Sequence, residues 1–236
     1  MSVRIVFFND MSKDVLPGDD LPGERATILM HLPRPEPISD TEYPDRCRDY
    51  VKKTGMPLVS APFLFENSVV IAWISPDDEA LQRACFPDAG VVPGDDVLVF
   101  DTPLGRMAMC CDADIFQPQY ARLAALRGCQ LLLCSTARVR IGLALPSPEV
   151  LSRYSDEALF LAGPWASAQA NGIAIAFAGL GGGRLILPCA TTADNSGLGR
   201  TSFDFNELTL AAKEFPVFDC FNPGLYRRYQ KELGVQ

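Results

Sequence analysis

The sequence predicts an α/β fold, on three observations. Short apolar runs recur along the chain, split by Gly, Pro and Asp. Stretches of helical character lie between several of them. The runs are too apolar for either face to meet water, which calls for sheets covered by helices.

The first expected strand is Val3–Phe8, a β-branched and aromatic run. Thr27–Leu32, Pro57–Phe63, Ser68–Ile74, Val97–Asp101 and Arg106–Cys111 follow on the same grounds. Gln130–Cys134, Ile173–Gly179 and Arg184–Pro188 complete the set. A helix is expected over Tyr43–Gly55, with Gly55 as its stop signal. Two more are expected over Gln119–Gly128 and Tyr154–Gly172. The loop-rich segments are Asp14–Arg25 and Pro33–Pro44, dense in Pro, Asp and Gly. No long linker and no repeat interrupts the pattern, so residues 1–236 are expected to form a single domain.

Hydrophobic residues make up 48% of the 236, ample for a core, and the net charge of −8 gives an acidic chain. Such a chain repels phosphate backbones and anionic lipid, which argues against nucleic-acid and membrane-surface roles. No apolar run approaches the roughly 20 residues of a membrane span. The N-terminal run meets polar residues at once and lacks a signal-peptide pattern, so a cytoplasmic location is expected. Of the eight cysteines, Cys110, Cys111, Cys129 and Cys134 sit in apolar runs, as buried free thiols do. There is no CxxC pair, and His31 is the only histidine. Neither a metal nor a cofactor is expected, and the thiols are read as reduced.

A family resemblance runs from about Tyr43 to Tyr226. Val92-Pro-Gly-Asp-Asp-Val-Leu-Val-Phe-Asp-Thr-Pro-Leu-Gly-Arg106 continues into Met107-Ala-Met-Cys-Cys-Asp-Ala-Asp-Ile-Phe-Gln-Pro-Gln119 and then Arg122-Leu-Ala-Ala-Leu-Arg-Gly128. Asn67-Ser-Val-Val-Ile71, Trp165-Ala-Ser-Ala-Gln-Ala-Asn-Gly172 and Gly183-Arg-Leu-Ile-Leu-Pro188 flank it, and Phe215-Pro-Val217 and Pro223-Gly-Leu-Tyr226 follow. In this order the pieces resemble the nitrilase, or carbon–nitrogen hydrolase, superfamily. The resemblance implies a four-layer α-β-β-α sandwich of the nitrilase type, with Arg106–Cys111 as a central strand. It also implies a homodimer that packs one helical layer of each subunit together, using the Tyr154–Gly172 helix. The family's long helix after the first strand has no room in Asp10–Arg25, so a loop is expected there.

The resemblance further implies a Cys nucleophile, a Glu base and a Lys beside the tetrahedral intermediate. The thiol needs a base to become thiolate, and the oxyanion needs a donor. Counted seven residues on from Gly105 and sixteen back from Gly128, the nucleophile position falls on Asp112. Asp114 matches the family's acidic residue two positions later. On strand alternation Cys111 would face away from Asp112, and Cys110 would share its face one repeat back. The Lys region, Glu79–Pro87, holds Arg83 but no lysine, and none occurs between Lys53 and Lys213. After the second strand, Pro33 puts Arg34 in the Glu position, and Glu36 reaches it only across two inserted residues. Ala170 replaces the carboxylate before Asn171. His31 is read as structural.

A degenerate triad implies a non-catalytic protein that binds a small amide-like ligand or a partner, with Arg34, Asp114 and Asn171 as candidate ligand contacts. The alternative is an amidase-type hydrolase with a relocated nucleophile at Cys110, Cys111 or Asp112, helped by Glu36 and Arg83. A scaffold without a pocket function is the third reading.

Overall fold

The computed structural model describes residues 2–11, 26–34, 36–87, 90–136, 156–179, 182–188 and 200–204. The first sheet begins with β1 (Ser2–Phe8) and β2 (Ala26–His31), which pair in parallel. β3 (Leu58–Val59), β4 (Phe63–Phe65), β5 (Ser68–Ile74) and β6 (Glu79–Arg83) extend it, and β12 (Arg200–Asp204) closes it beside β1. Its order is β12-β1-β2-β3-β5-β4, with β6 on the other side of β5. The second sheet contains β7 (Val99–Thr102), β8 (Gly105–Cys111), β9 (Leu131–Ser135), β10 (Ala174–Gly179) and β11 (Gly182–Ile186), in the order β11-β10-β9-β8-β7. β8, β9 and β10 run parallel. β8 is thus an interior strand, but the middle place belongs to β9.

Alternation along the strands builds the layers. Val3, Ile5 and Phe7 of β1 share one core with Met107, Met109 and Cys111 of β8 and with Leu131 and Leu133 of β9. This is the dry seam between the sheets. On the outer side of the first sheet, Val6, Phe8 and Leu29 meet α1 (Tyr43–Thr54) through Tyr43, Cys47, Tyr50 and Val51. Those spacings place one apolar stripe on the helix. Gly55 then ends α1 in the left-handed conformation, φ 68°, and returns its N–H to the Val51 carbonyl. On the outer side of the second sheet, Ala108, Cys110, Leu132 and Phe177 pack under α2 (Pro118–Leu126) and α3 (Asp156–Asn171). The result is an α-β-β-α stack. Gly183 of β11 lies against Phe7 of β1, where a Cβ would run into the ring. No helix among the described residues is long and apolar enough to cross a membrane.

The expected strand over Pro57–Phe63 divides into β3 and β4, and local hydrogen bonding explains why. The Ser60 hydroxyl accepts the Ala72 N–H at 2.8 Å, and the Tyr43 hydroxyl accepts the Ala61 N–H at 2.9 Å. Pro62 has no N–H to give. The Ser60 N–H still donates to the Ala72 carbonyl at 2.9 Å, and the ladder ends at Ala61 and Pro62. Strands β6 and β12 had no sequence expectation; β6 carries polar residues and forms a sheet edge. The expected loop Asp14–Arg25, residues 154–155, Cys189, Cys220 and the Phe215–Tyr226 match lie largely or wholly outside the described residues.

Candidate active site

Strand β8 ends at Cys111, and the next residue leaves the strand abruptly. Asp112 has φ 53°, a left-handed conformation that non-glycine residues adopt rarely, and it opens a 3-10 turn over Asp112–Phe116. Strand alternation therefore stops at Cys111, and Asp112 does not share a face with Cys110. Asp112 is 4% exposed. Its Oδ1 lies 3.5 Å from the Thr136 hydroxyl. Thr136 directly follows β9 as Asp112 directly follows β8, and Cys111 pairs in register with Ser135. The two residues meet at the carboxyl ends of parallel strands, the location at which α/β sheets bind ligands. Thr136 had no place in the sequence expectations, although the parallel register would have supplied it.

Asp114 is completely buried. Its two carboxylate oxygens accept the N–H groups of Cys85 at 2.9 Å and Phe86 at 2.8 Å. Burial pushes its pKa up to about 7 against the pull of those hydrogen bonds, and the nearby Asp112 carboxylate adds to the rise. Asp114 therefore clamps the segment after β6 onto the turn after β8. With both oxygens engaged by backbone, it is a positioning group.

The two cysteines face opposite ways. Cys111 lies in the seam between the sheets, and Cys110 lies under α2 and α3 beside Cys134. Both are fully buried, and burial holds both thiols well above the usual cysteine range. Neither is poised to become a thiolate at neutral pH.

Among the solved structures that resemble this architecture are the following three. A carbon–nitrogen hydrolase from Helicobacter pylori superposes with a TM-score of 0.73 at 14% identity, covering 96% of this chain and 98% of that one. An amidase from Nesterenkonia gives 0.64 at 16%, covering 97% and 99%. A Saccharomyces cerevisiae member of branch 10 of the nitrilase superfamily gives 0.63 at 13%, covering 92% and 95%. This chain has the carbon–nitrogen hydrolase fold. No protein-family model and no curated protein matches the sequence. A variant of the Nesterenkonia amidase carries acrylamide added to its active-site cysteine.

Within this hydrolase fold the other candidate positions are dispersed. Arg83 ends β6, and its guanidinium pairs with Glu66 at 2.5 Å on a half-exposed surface. Arg34 and Glu36 are exposed, whereas Cys110 and Cys111 are sealed in the interior. Asn171 ends α3, donating from Nδ2 to the Ser167 carbonyl at 2.7 Å. It precedes β10 at the end of the sheet where Leu131 pairs with Ala174, whereas Asp112 stands beyond Ser135. Four strand steps, roughly 13 Å, separate those levels. Asn171 and Asp112 thus belong to opposite ends of the sheet and share no pocket, because the helix reaches that sheet from below. Among the described residues no group of three or more His, Cys, Asp or Glu side chains is arranged to hold a metal.

Proposed function

We propose that this chain is a nitrilase-superfamily protein that no longer performs covalent catalysis and acts by binding a small amide-like ligand or a partner protein. The observation that carries the reading is the carboxylate of Asp112 at the left-handed end of β8, where the family motif positions a thiol. A carboxylate attacking an amide would have to form an anhydride while expelling an amine. The nearest thiols are buried in a form that resists ionisation, and the sequence offers no lysine between Lys53 and Lys213. Arg83, the cation nearest the expected lysine position in sequence, is engaged with Glu66.

One observation favours the alternative, a working hydrolase. The left-handed backbone at Asp112 is strained for a non-glycine residue, and such strain concentrates at functional sites. Assay of the wild type and of Asp112→Cys against amides, nitriles and carbamoylated amines separates the two readings. Neither protein is expected to turn over any of them, because a restored thiol would still lack its base and cation. Wild-type turnover that survives Cys110→Ala and Cys111→Ala would make Asp112 the nucleophile. Turnover lost in either variant would make that cysteine the nucleophile.

The same reading includes a homodimer through the α2 and α3 layer, supported by the exposed side chains of Leu123, Leu126 and Trp165. Light scattering at micromolar concentration is expected to give twice the 25.7 kDa chain mass; the monomer mass alone would refute it.

A further inference from the structure

The carboxyl ends of β1 and β2 open on the outer face of the first sheet, the side that α1 covers. Together with α1 they enclose a cavity of about 530 Å³, within the size range of small-molecule sites. Its floor is built around His31, the only histidine of the chain. The Tyr43 hydroxyl accepts the Ala61 N–H, so its own proton points to His31 Nδ1, 2.6 Å away. With Nδ1 accepting, the ring proton sits on Nε2 and faces the Asn9 backbone. Burial lowers the His31 pKa to about 4, so the ring is neutral and its tautomer is set by these partners. Phe8 stacks on His31 at 5.1 Å and on Tyr50 at 5.5 Å, which packs aromatic rings beneath the floor.

The rim is charged. Arg46 is held by Asp40 at 2.6 Å, and Asp49 is held by Lys52 at 3.1 Å. Arg34 also lines the cavity, and among the described residues it carries no ion pair. It lies near enough to His31 and Tyr43 to act on both electrostatically. A planar guanidinium beside an aromatic floor, with Met11 and Ile38 as apolar walls, matches one ligand chemistry. That chemistry is a carboxylate for the fork of Arg34 and a flat apolar body for the floor.

We propose that this cavity is a binding site for a small monocarboxylate with a flat apolar body, anchored by Arg34. Asp112 does not line this cavity, and the site does not depend on whether Asp112 hydrolyses anything.

The single histidine provides a direct reporter, since its ring C–H resonances are unique in a proton NMR spectrum. Benzoate is the probe, titrated into the whole protein, with benzamide as its neutral isostere. Benzoate is expected to shift the His31 resonances saturably. Arg34→Gln is expected to weaken that response at least tenfold while leaving the melting curve unchanged, because Arg34 is exposed. Benzamide is expected to bind at least tenfold more weakly than benzoate, and Asp112→Asn to leave the titration unaltered. Resonances unmoved by benzoate would overturn the proposal, as would equal responses to the acid and the amide. So would loss of binding in Asp112→Asn with retention in Arg34→Gln. Hydrolytic assays do not enter this test, so its failure is distinct from failure of the non-catalytic reading.

Discussion

At the end of β8 and at the ends of β1 and β2, parallel strands stop beside one another and leave buried polar groups to be satisfied. The solutions differ. At β8 the buried group is a carboxylic acid, Asp114, and both its oxygens draw the Cys85–Phe86 backbone onto the turn. At β1 and β2 the buried group is a neutral imidazole, satisfied by one phenol and one backbone carbonyl, and the space beside it stays open. A carboxyl group offers two oxygens to several donors and closes the end of a sheet around itself, whereas a neutral ring needs one partner per nitrogen and leaves volume free.

The largest expected effects follow from pH, because the two groups titrate with opposite sign. Asp114 has a folded pKa of about 7, above its ordinary 3.8. Its protonation favours the fold, so its contribution is full below 3.8 and is lost as pH rises to about 7, on the order of 4 kcal/mol. Asp112 and the thiols of Cys85, Cys110 and Cys111 are the titratable groups around it. His31 has a folded pKa of about 4, below its ordinary 6.5, and faces Asp10, Arg34, Arg46 and Tyr43. Its contribution is full above 6.5 and is lost as pH falls to about 4, on the order of 3 kcal/mol. Urea unfolding between pH 4 and 6.5 is therefore expected to give a nearly flat wild-type stability. His31→Gln should expose a fall with rising pH, and Asp114→Asn a rise. Matching slopes in the two variants would break the comparison.

A smaller effect is expected from Asp114→Ala at pH 7. Two backbone N–H groups lose their acceptor, at about 3 kcal/mol of unfolding free energy. A change below about 1 kcal/mol would mean that the clamp is not what holds this turn. The smallest effect is expected two residues earlier. Asp112→Gly removes a buried carboxylate and relieves the φ of 53°, so thermal unfolding should show a gain of about 1 kcal/mol. A loss would show that Asp112 is a structural residue rather than one held in strain.

The position of Asp112 was legible because glycines fix both ends of the count. Gly105 and Gly128 have φ values of 134° and 86°, turns that favour glycine, and they bound β8 and α2 with no slack. Its facing was not legible, since the period-two rule that governs Met107 to Cys111 ends where the backbone becomes left-handed. Ser68–Ile74 was read with its full bounds because all seven residues are buried and every one is apolar or small. β6 was missed for the opposite reason. An edge strand with exposed Glu79 and Leu81 carries little periodicity, and its identity comes from pairing with β5. The cavity beside His31 was hidden because Tyr43, Tyr50 and Arg34 converge on it only after α1 packs on the sheet.

The contact between Gly183 and Phe7 links the two strand ends mechanically. Phe7 stands two residues before Asn9, whose carbonyl faces His31, and Gly183 pairs with Ala178 of β10, whose carbonyl receives the Thr136 N–H. The hydrogen on Gly183 thus acts as a spacer of minimal thickness. A methyl group in its place would wedge β11 from β1, tilting the Asn9 loop on one side and the Thr136–Asp112 contact on the other. Sheet separation is the one coordinate that both strand ends share, and it is set by the smallest side chain in the protein.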